Sequence, residues 1–292
     1  MRKNWLLCVL IAGAAALLGN ARVPGPSFRF TSIDFPGAVL TQPQGINPGG
    51  EIVGLYKDTA GKQHGFLLSS GQFTSIDYPG AISTDARGIG PGGEIVGAFT
   101  NMPGGPPNIH GYLLSQGKFS EVQYPGHLGT IAQRIGPNGD IYGCNHDTDL
   151  MATMHGFRRT ADGYTQLDVP ASMSNGATPD GSLVAGLYTD MMTGLTHGYL
   201  VKNGNFEPFD VPGSNLTQAW DINPAGDVVG NYRDTIGKSH SFLLRAGQFT
   251  SLDFPSAINT QARGINPGGE VVGWYIDSTG HTHGFLRSVG QQ

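Results

Sequence analysis

Apolar and polar residues exchange over short stretches from Phe28 onward. FTSIDFP, a segment around TQPQGIN, EIVGLY and HGFLLS alternate and are rich in β-branched and aromatic residues, the signature of half-buried strands. PGA, PGG, a variable loop and SGQ separate them, so glycine and proline punctuate the chain at turn positions. No amphipathic helical stripe follows the first twenty or so residues, and the pattern predicts four short strands per unit.

The unit recurs six times. His-Gly-aromatic stands at His64-Gly65-Phe66, His110-Gly111-Tyr112, His155-Gly156-Phe157, His197-Gly198-Tyr199 and His283-Gly284-Phe285, with His240-Ser241-Phe242 as a variant. The intervals are 46, 45, 42, 43 and 43 residues, close to one four-stranded blade each. An aromatic-led strand ending in Asp-hydrophobic-Pro begins each unit, with Asp34, Asp77, Asp168, Asp210 and Asp253, and Gln123 as the exception. Gly-Ile-Asn-Pro-Gly-Gly-Glu and its variants form a third marker, at Gly45, Gly88, Arg134, Gly176, Asp221 and Gly264.

Six such units predict an all-β fold, a six-bladed β-propeller of four-stranded blades. The repeats are permuted: the last ends after its third strand and a spare strand opens the first, so the N-terminal strand is expected to pair with the last repeat and close the ring. A solenoid would carry atypical caps at its ends, yet here the end repeats are the most regular. With the six His-[Gly/Ser]-[Phe/Tyr] cores preceded by Gly-Ile-Asn and Ile-Val-Gly, nearly all of residues 22–292 resembles the bacterial extracellular repeat proteins of the HAF family, with the central alanine of that tripeptide replaced throughout. The resemblance implies export and a propeller-like fold, and brings no activity.

Residues 1–21 read as a secretory leader: Arg2 and Lys3, an apolar run from Trp5 to Leu18, then Gly19-Asn20-Ala21. The run is shorter than the ~20 residues of a membrane span. Its removal leaves 15 basic against 22 acidic residues, a balance of −7. That balance argues against nucleic acid, which needs clustered Lys and Arg. Cys144 is then the one cysteine left, so no intramolecular disulfide forms and a large core must hold the fold. The expected product is a secreted or periplasmic monomer, off the membrane after cleavage and without a cofactor.

Chemistry is harder to place. Asp58 and His64 could face each other across a hairpin, but equivalent pairs recur in the other units, so they read as hairpin staples. Gly88-Ile89-Gly90-Pro91-Gly92-Gly93 matches Gly-x-Gly-x-x-Gly without the following helix a dinucleotide site requires. Cys144 reads as packing. His127, His146 and Asp147 share a face but not the spacing of a closed metal set.

Function is expected where the repeats differ. From the second-strand glycine to the motif histidine the units hold 9, 12, 11, 10, 9 and 9 residues, which marks Ala98–Ile109, Cys144–Met154 and Leu187–Thr196 as a variable face. The connection from Pro170 to Gly176 is three residues short on that same face. The position before Gly-Ile-Asn should approach the channel, and reads Gln44, Arg87, Gln133, Asn175, Trp220 and Arg263. Arg87 and Arg263 flank Gln44 and could hold a carboxylate or phosphate, with Trp220 opposite to stack on a sugar. These six residues are the expected ligand site of a module binding an extracellular glycan, peptide, small molecule or surface partner. A hydrolase or lyase acting on a sugar or lactone at the same mouth, and a purely structural envelope protein, are the alternatives.

Overall fold

The computed structural model describes residues 28–105, 108–147 and 153–290. Residues 1–27, on which the expected secretory leader falls, residues 291–292 and parts of two variable loops (106–107 and 148–152) lie outside the described residues. Within them every regular element is a strand, and no helix is long and apolar enough to cross a membrane.

β1 (Phe28–Ile33) precedes the first complete unit, β2 (Leu40–Ile46), β3 (Ile52–Lys57), β4 (Gln63–Ser69) and β5 (Gln72–Ile76), which pair in that order as blade one. Blade two is β6 (Ser83–Ile89), β7 (Ile95–Thr100), β8 (Ile109–Ser115) and β9 (Lys118–Val122). Blade three is β10 (Gly129–Ile135), β11 (Ile141–His146), β12 (His155–Thr160) and β13 (Gly163–Pro170). Blade four is β14 (Ser172–Ala177), β15 (Leu183–Thr189), β16 (Thr196–Lys202) and β17 (Asn205–Phe209). Blade five is β18 (Leu216–Ile222), β19 (Val228–Arg233), β20 (Ser239–Arg245) and β21 (Gln248–Ser251). The last group, β22 (Asn259–Ile265), β23 (Val271–Ile276) and β24 (Thr282–Val289), takes β1 as its fourth strand, from Phe28↔Val289 to Ile33↔Gly284. The 24 strands in four-stranded sheets fit six blades. Each innermost strand (β2, β6, β10, β14, β18, β22) packs on the next, and β22 packs on β2.

The motif residues explain the packing. Because the blades face one another, the second strand of each is covered on both sides, and it carries an apolar pair before glycine, Ile-Val-Gly in blades one and two. The motif aromatics Phe66, Tyr112, Phe157, Tyr199, Phe242 and Phe285 are fully buried between blades, each worth about 3–5 kcal/mol against alanine. The glycine before them lets the neighbouring inner strand approach: a Cβ on Gly65 would meet Ala86 N at 3.3 Å and Ile76 O at 3.1 Å. In the variant blade Ser241 turns that proximity into a bond, its Oγ accepting from Ala262 N at 2.8 Å.

A buried threonine ties each outer turn down. Thr41, Thr84, Thr130, Thr217 and Thr260 accept from the backbone N–H six residues earlier, at 2.9–3.1 Å. Blade four departs from this. The three-residue deletion seen in the sequence runs β13 into β14 through Ala171, at φ 52°, and removes the turn.

Candidate functional site

Every inner strand carries one β-bulge, and all six bulges fall on the marker before Gly-Ile-Asn. The register skips Gln44, Arg87, Gln133, Asn175, Trp220 and Arg263, each the extra residue of its strand. A bulge re-aims its side chain and frees its carbonyl from the ladder. The six residues singled out by their variability are therefore the six bulge residues of the inner strands.

The carbonyls freed there meet a plug. Arg134 and Asp221 stand where the other four blades have glycine, and they pair in the channel, Arg134 Nε 3.3 Å from Asp221 Oδ2. Arg134 Nη1 donates to the carbonyls of Arg87 (2.7 Å) and Gln133 (2.8 Å). Its Nη2 donates to those of Gln44 (2.9 Å) and Arg263. A guanidinium with donors in a fixed fork suits a ring of convergent acceptors. Elsewhere glycine is required by contact: a Cβ on Gly88 would lie 2.8 Å from Gln133 O and from Arg134 Cα. Asp221 accepts from Ile222 N and Ile265 N, both at 3.0 Å. Burial raises its carboxyl above the usual range, against the pull of Arg134.

Above the plug the bulge side chains form two arcs. In one, Arg87 Nη2 lies 2.6 Å from Asp85 Oδ2, and Nη1 donates to Gln133 Oε1 at 3.2 Å. Gln133 Nε2 then reaches Met173 Sδ at 2.8 Å. In the other, Arg263 stacks on Trp220 with its guanidinium carbon 3.7 Å from the ring centroid. Trp220 Nε1 donates to Asn231 Oδ1 at 2.5 Å, and Asn231 to Gln218 Oε1 at 3.0 Å. Trp220 is thus beside Arg263 and not opposite it, and Arg87 is occupied by Asp85. The expected two-arginine clamp with a facing indole is replaced by one arginine on an indole. Asn175 is fully buried, giving Nδ2–H to Ala219 O at 2.8 Å, so it supports the wall.

Charge does not cancel here. Arg87 and Arg134 each have a carboxylate; Arg263 has none among the described residues, and its polar side-chain contact is one bond to Gln261 Oε1 at 2.7 Å. Its Nε is buried without a partner. Burial, then Arg87 and Arg134, lower its guanidinium to about 9. Both channel carboxylates are held, Asp85 also by Ala98 N at 2.9 Å, and neither is left free to move a proton.

The motif histidines sit outside the channel, and three of them, His64, His240 and His283, lie between two acids. His64 Nε2 is 3.4 Å from Asp58 and Nδ1 is 2.7 Å from Asp77, in the connection to the next blade. His240 and His283 repeat this with Asp234/Asp253 and Asp277/Asp34. Blade two substitutes Glu121, 3.0 Å from His110 Nδ1 but out of line for a hydrogen bond. Each of these rings stacks on the second-strand aromatic, as His64 does on Tyr56 at 4.9 Å. His127 pairs with Asp147 at 3.1 Å, while His146 is buried against Cys144, so these three do not converge. Among the described residues no group of three His, Cys, Asp or Glu side chains is arranged to hold a metal ion.

A funnel with a cavity volume of about 180 Å³ opens at the opposite, turn-lined end of the axis. It is walled by Ile46, Ile89, Ile135, Ile222, Ile265 and the turn prolines, with Arg134 and Asp221 among its lining. None of the six bulge residues lines it.

The sequence matches no family model, and no curated protein aligns with it. Solved structures do resemble its fold. TolB from Acinetobacter baumannii superposes with a TM-score of 0.58 at 14% identity, over 82% of this chain and 64% of that one. AofleA from Arthrobotrys oligospora gives 0.53 at 9% identity, covering 91% and 94%. The Aleuria aurantia lectin AAL in complex with Fucα1-6GlcNAc gives 0.51 at 10%, covering 86% and 94%. The chain spans about two thirds of the TolB length. At these identities the likeness fixes the fold alone: the protein is a β-propeller.

Proposed function

We propose that this protein is an exported six-bladed β-propeller, closed as a ring by its N-terminal strand and acting as a monomer, that binds an extracellular acidic glycan at the loop-face mouth of its channel. One observation carries the reading: the Arg263 guanidinium, stacked on Trp220, is a half-buried cation with no carboxylate partner among the described residues. A sugar carboxylate would supply the missing charge through a paired hydrogen bond, and the exposed part of Trp220 an apolar platform for the ring. The chain is acidic overall, −5, yet its channel holds three arginines against two aspartates, which favours an anion locally. The propeller likeness to a lectin in complex with a disaccharide supports a binding role. The HAF-like repeats agree with an extracytoplasmic setting.

Titration calorimetry with an oligogalacturonate, beside a neutral oligosaccharide of equal length, tests it. Arg263→Gln and Trp220→Ala should each weaken acidic-sugar binding about 30-fold, the equivalent of about 2 kcal/mol. Arg263→Gln should also raise Tm by about 2–4 °C, because a half-buried guanidinium with no carboxylate partner among the described residues is removed. Wild-type binding in both variants rejects the site. Mass spectrometry of the same mixtures would reveal chain cleavage, which moves the assignment to a hydrolase or lyase.

A further inference from the structure

Four residues that are each singular in the six-fold repeat gather between blades three and four. After the second-strand glycine the other blades carry Leu, Ala, Asn or Trp, and blade three carries Cys144. Two residues on, Lys, Thr, Arg or Ile gives way to His146. Before the motif histidine stands Met154 in place of Gln, Ile, Thr or Ser, and two residues before the bulge of blade four stands Met173.

Strand geometry brings them together. Cys144 and His146 are two apart on β11 and share a face, with Sγ 3.0 Å from Nε2. Cys144 and Met154 are fully buried in one apolar cluster, and Met173 packs against it from the channel side. Bonds of about 2.3 Å to sulfur and about 2.0 Å to nitrogen would hold that Sγ–Nε2 pair at an angle near 90°, and a tetrahedral angle needs about 0.5 Å more separation. A thiolate, an imidazole and two thioethers in a dry pocket are the donors that select a soft monovalent ion over hard divalent cations.

We propose that Cys144, His146, Met154 and Met173 form a binding site for one cuprous ion, reached from the channel past Met173. The ion enters and stays as Cu(I), so no electron is transferred. Burial pushes the Cys144 thiol up to about 12, so the side chain is a neutral thiol until the ion displaces its proton into solvent. The Gln133 Nε2–H bond to Met173 Sδ links this site to the bulge arc without using Arg263, while Trp220 packs against the same cluster.

Anaerobic titration of the full chain with Cu(I), buffered by bicinchoninate, tests the site. The expected result is one ion per chain, with a thiolate-to-copper absorption that Cys144→Ser abolishes. Met154→Leu and Met173→Leu conserve volume and should each lower affinity at least tenfold with unchanged melting. Should Cys144→Ser fail to fold, the two methionine variants decide. No competition by the wild type, unaltered affinity in both methionine variants, or loss of binding in Met191→Leu/Met192→Leu on the exposed loop would each overturn the proposal. Arg263→Gln should bind copper normally, which separates this site from the glycan reading.

Discussion

Arg134 and Asp221 break the glycine rule at the axis, and their energetics are asymmetric. Arg134 serves four backbone carbonyls as well as Asp221, so its loss strands acceptors that the bulges have already removed from the ladder. Asp221 shares its charge with two backbone N–H groups. Removing one partner of a buried pair costs about 3–5 kcal/mol, and Arg134→Gly should reach that range. Arg134→Gly/Asp221→Gly restores the residue the other four blades use and removes the stranded carboxylate. The double variant should therefore be more stable than Arg134→Gly alone. Urea denaturation of the two singles and the double gives the coupling, and additive losses would show that the two side chains act independently. The sequence displayed both exceptions openly. Their partnership was illegible, because it spans 87 residues and exists only once the blades converge on one axis.

At the scale of the element, the hairpin around Asp58 and His64 was half legible. Its two residues were read as a staple. The second acid, Asp77, belongs to the connection into the next blade, so the histidine ties a loop to its neighbour as well as closing its own hairpin. The bulge was not foreseen either: a periodicity of two says which face a residue takes, and one extra residue resets that face. The spare first strand was read directly from the permuted repeat order. β1 pairs with β24 over six residues, and Phe30 packs edge-on against Phe254 (5.4 Å) and Phe285 (5.7 Å). Deleting residues 28–33 should expose the β24 edge and produce self-association, and Phe30→Ala should cost about 2–3 kcal/mol in the full chain. Light scattering after size exclusion checks the first and urea denaturation the second. A monomeric truncation with unchanged melting would mean that β1 contributes nothing to the ring.

Across the whole molecule the six-fold repeat made the fold legible, because every blade repeats the same buried aromatic and a proline turn, and five of the six repeat the threonine cap. The site was legible only as a list of differing positions, since side-chain direction and charge balance depend on neighbours one or two blades away. The repeated loops also set the response to acid. Asp277 is held below its ordinary value by the Thr279 hydroxyl, and Asp190 by the Met192 N–H. In Asp58 and Asp234 burial opposes the shift, but the Lys62 and Lys238 N–H groups and the histidines outweigh it. Asp180 is lowered to about 2 by the Thr178 hydroxyl and Ser182. A carboxyl whose folded value lies below its unfolded value adds stability above the unfolded value and loses it as pH falls through the folded one. Asp221, raised by burial, has the opposite sign, but stands against these five. Melting temperature should therefore hold near neutrality and fall between about pH 4 and about pH 2. Replacing Asp58, Asp234 and Asp277 together with asparagine should lower Tm at pH 7 and flatten that decline, because fewer depressed carboxyls remain to protonate. Scanning calorimetry of both proteins from pH 7 to pH 2 measures the two slopes. Equal slopes would place the acid sensitivity in other groups.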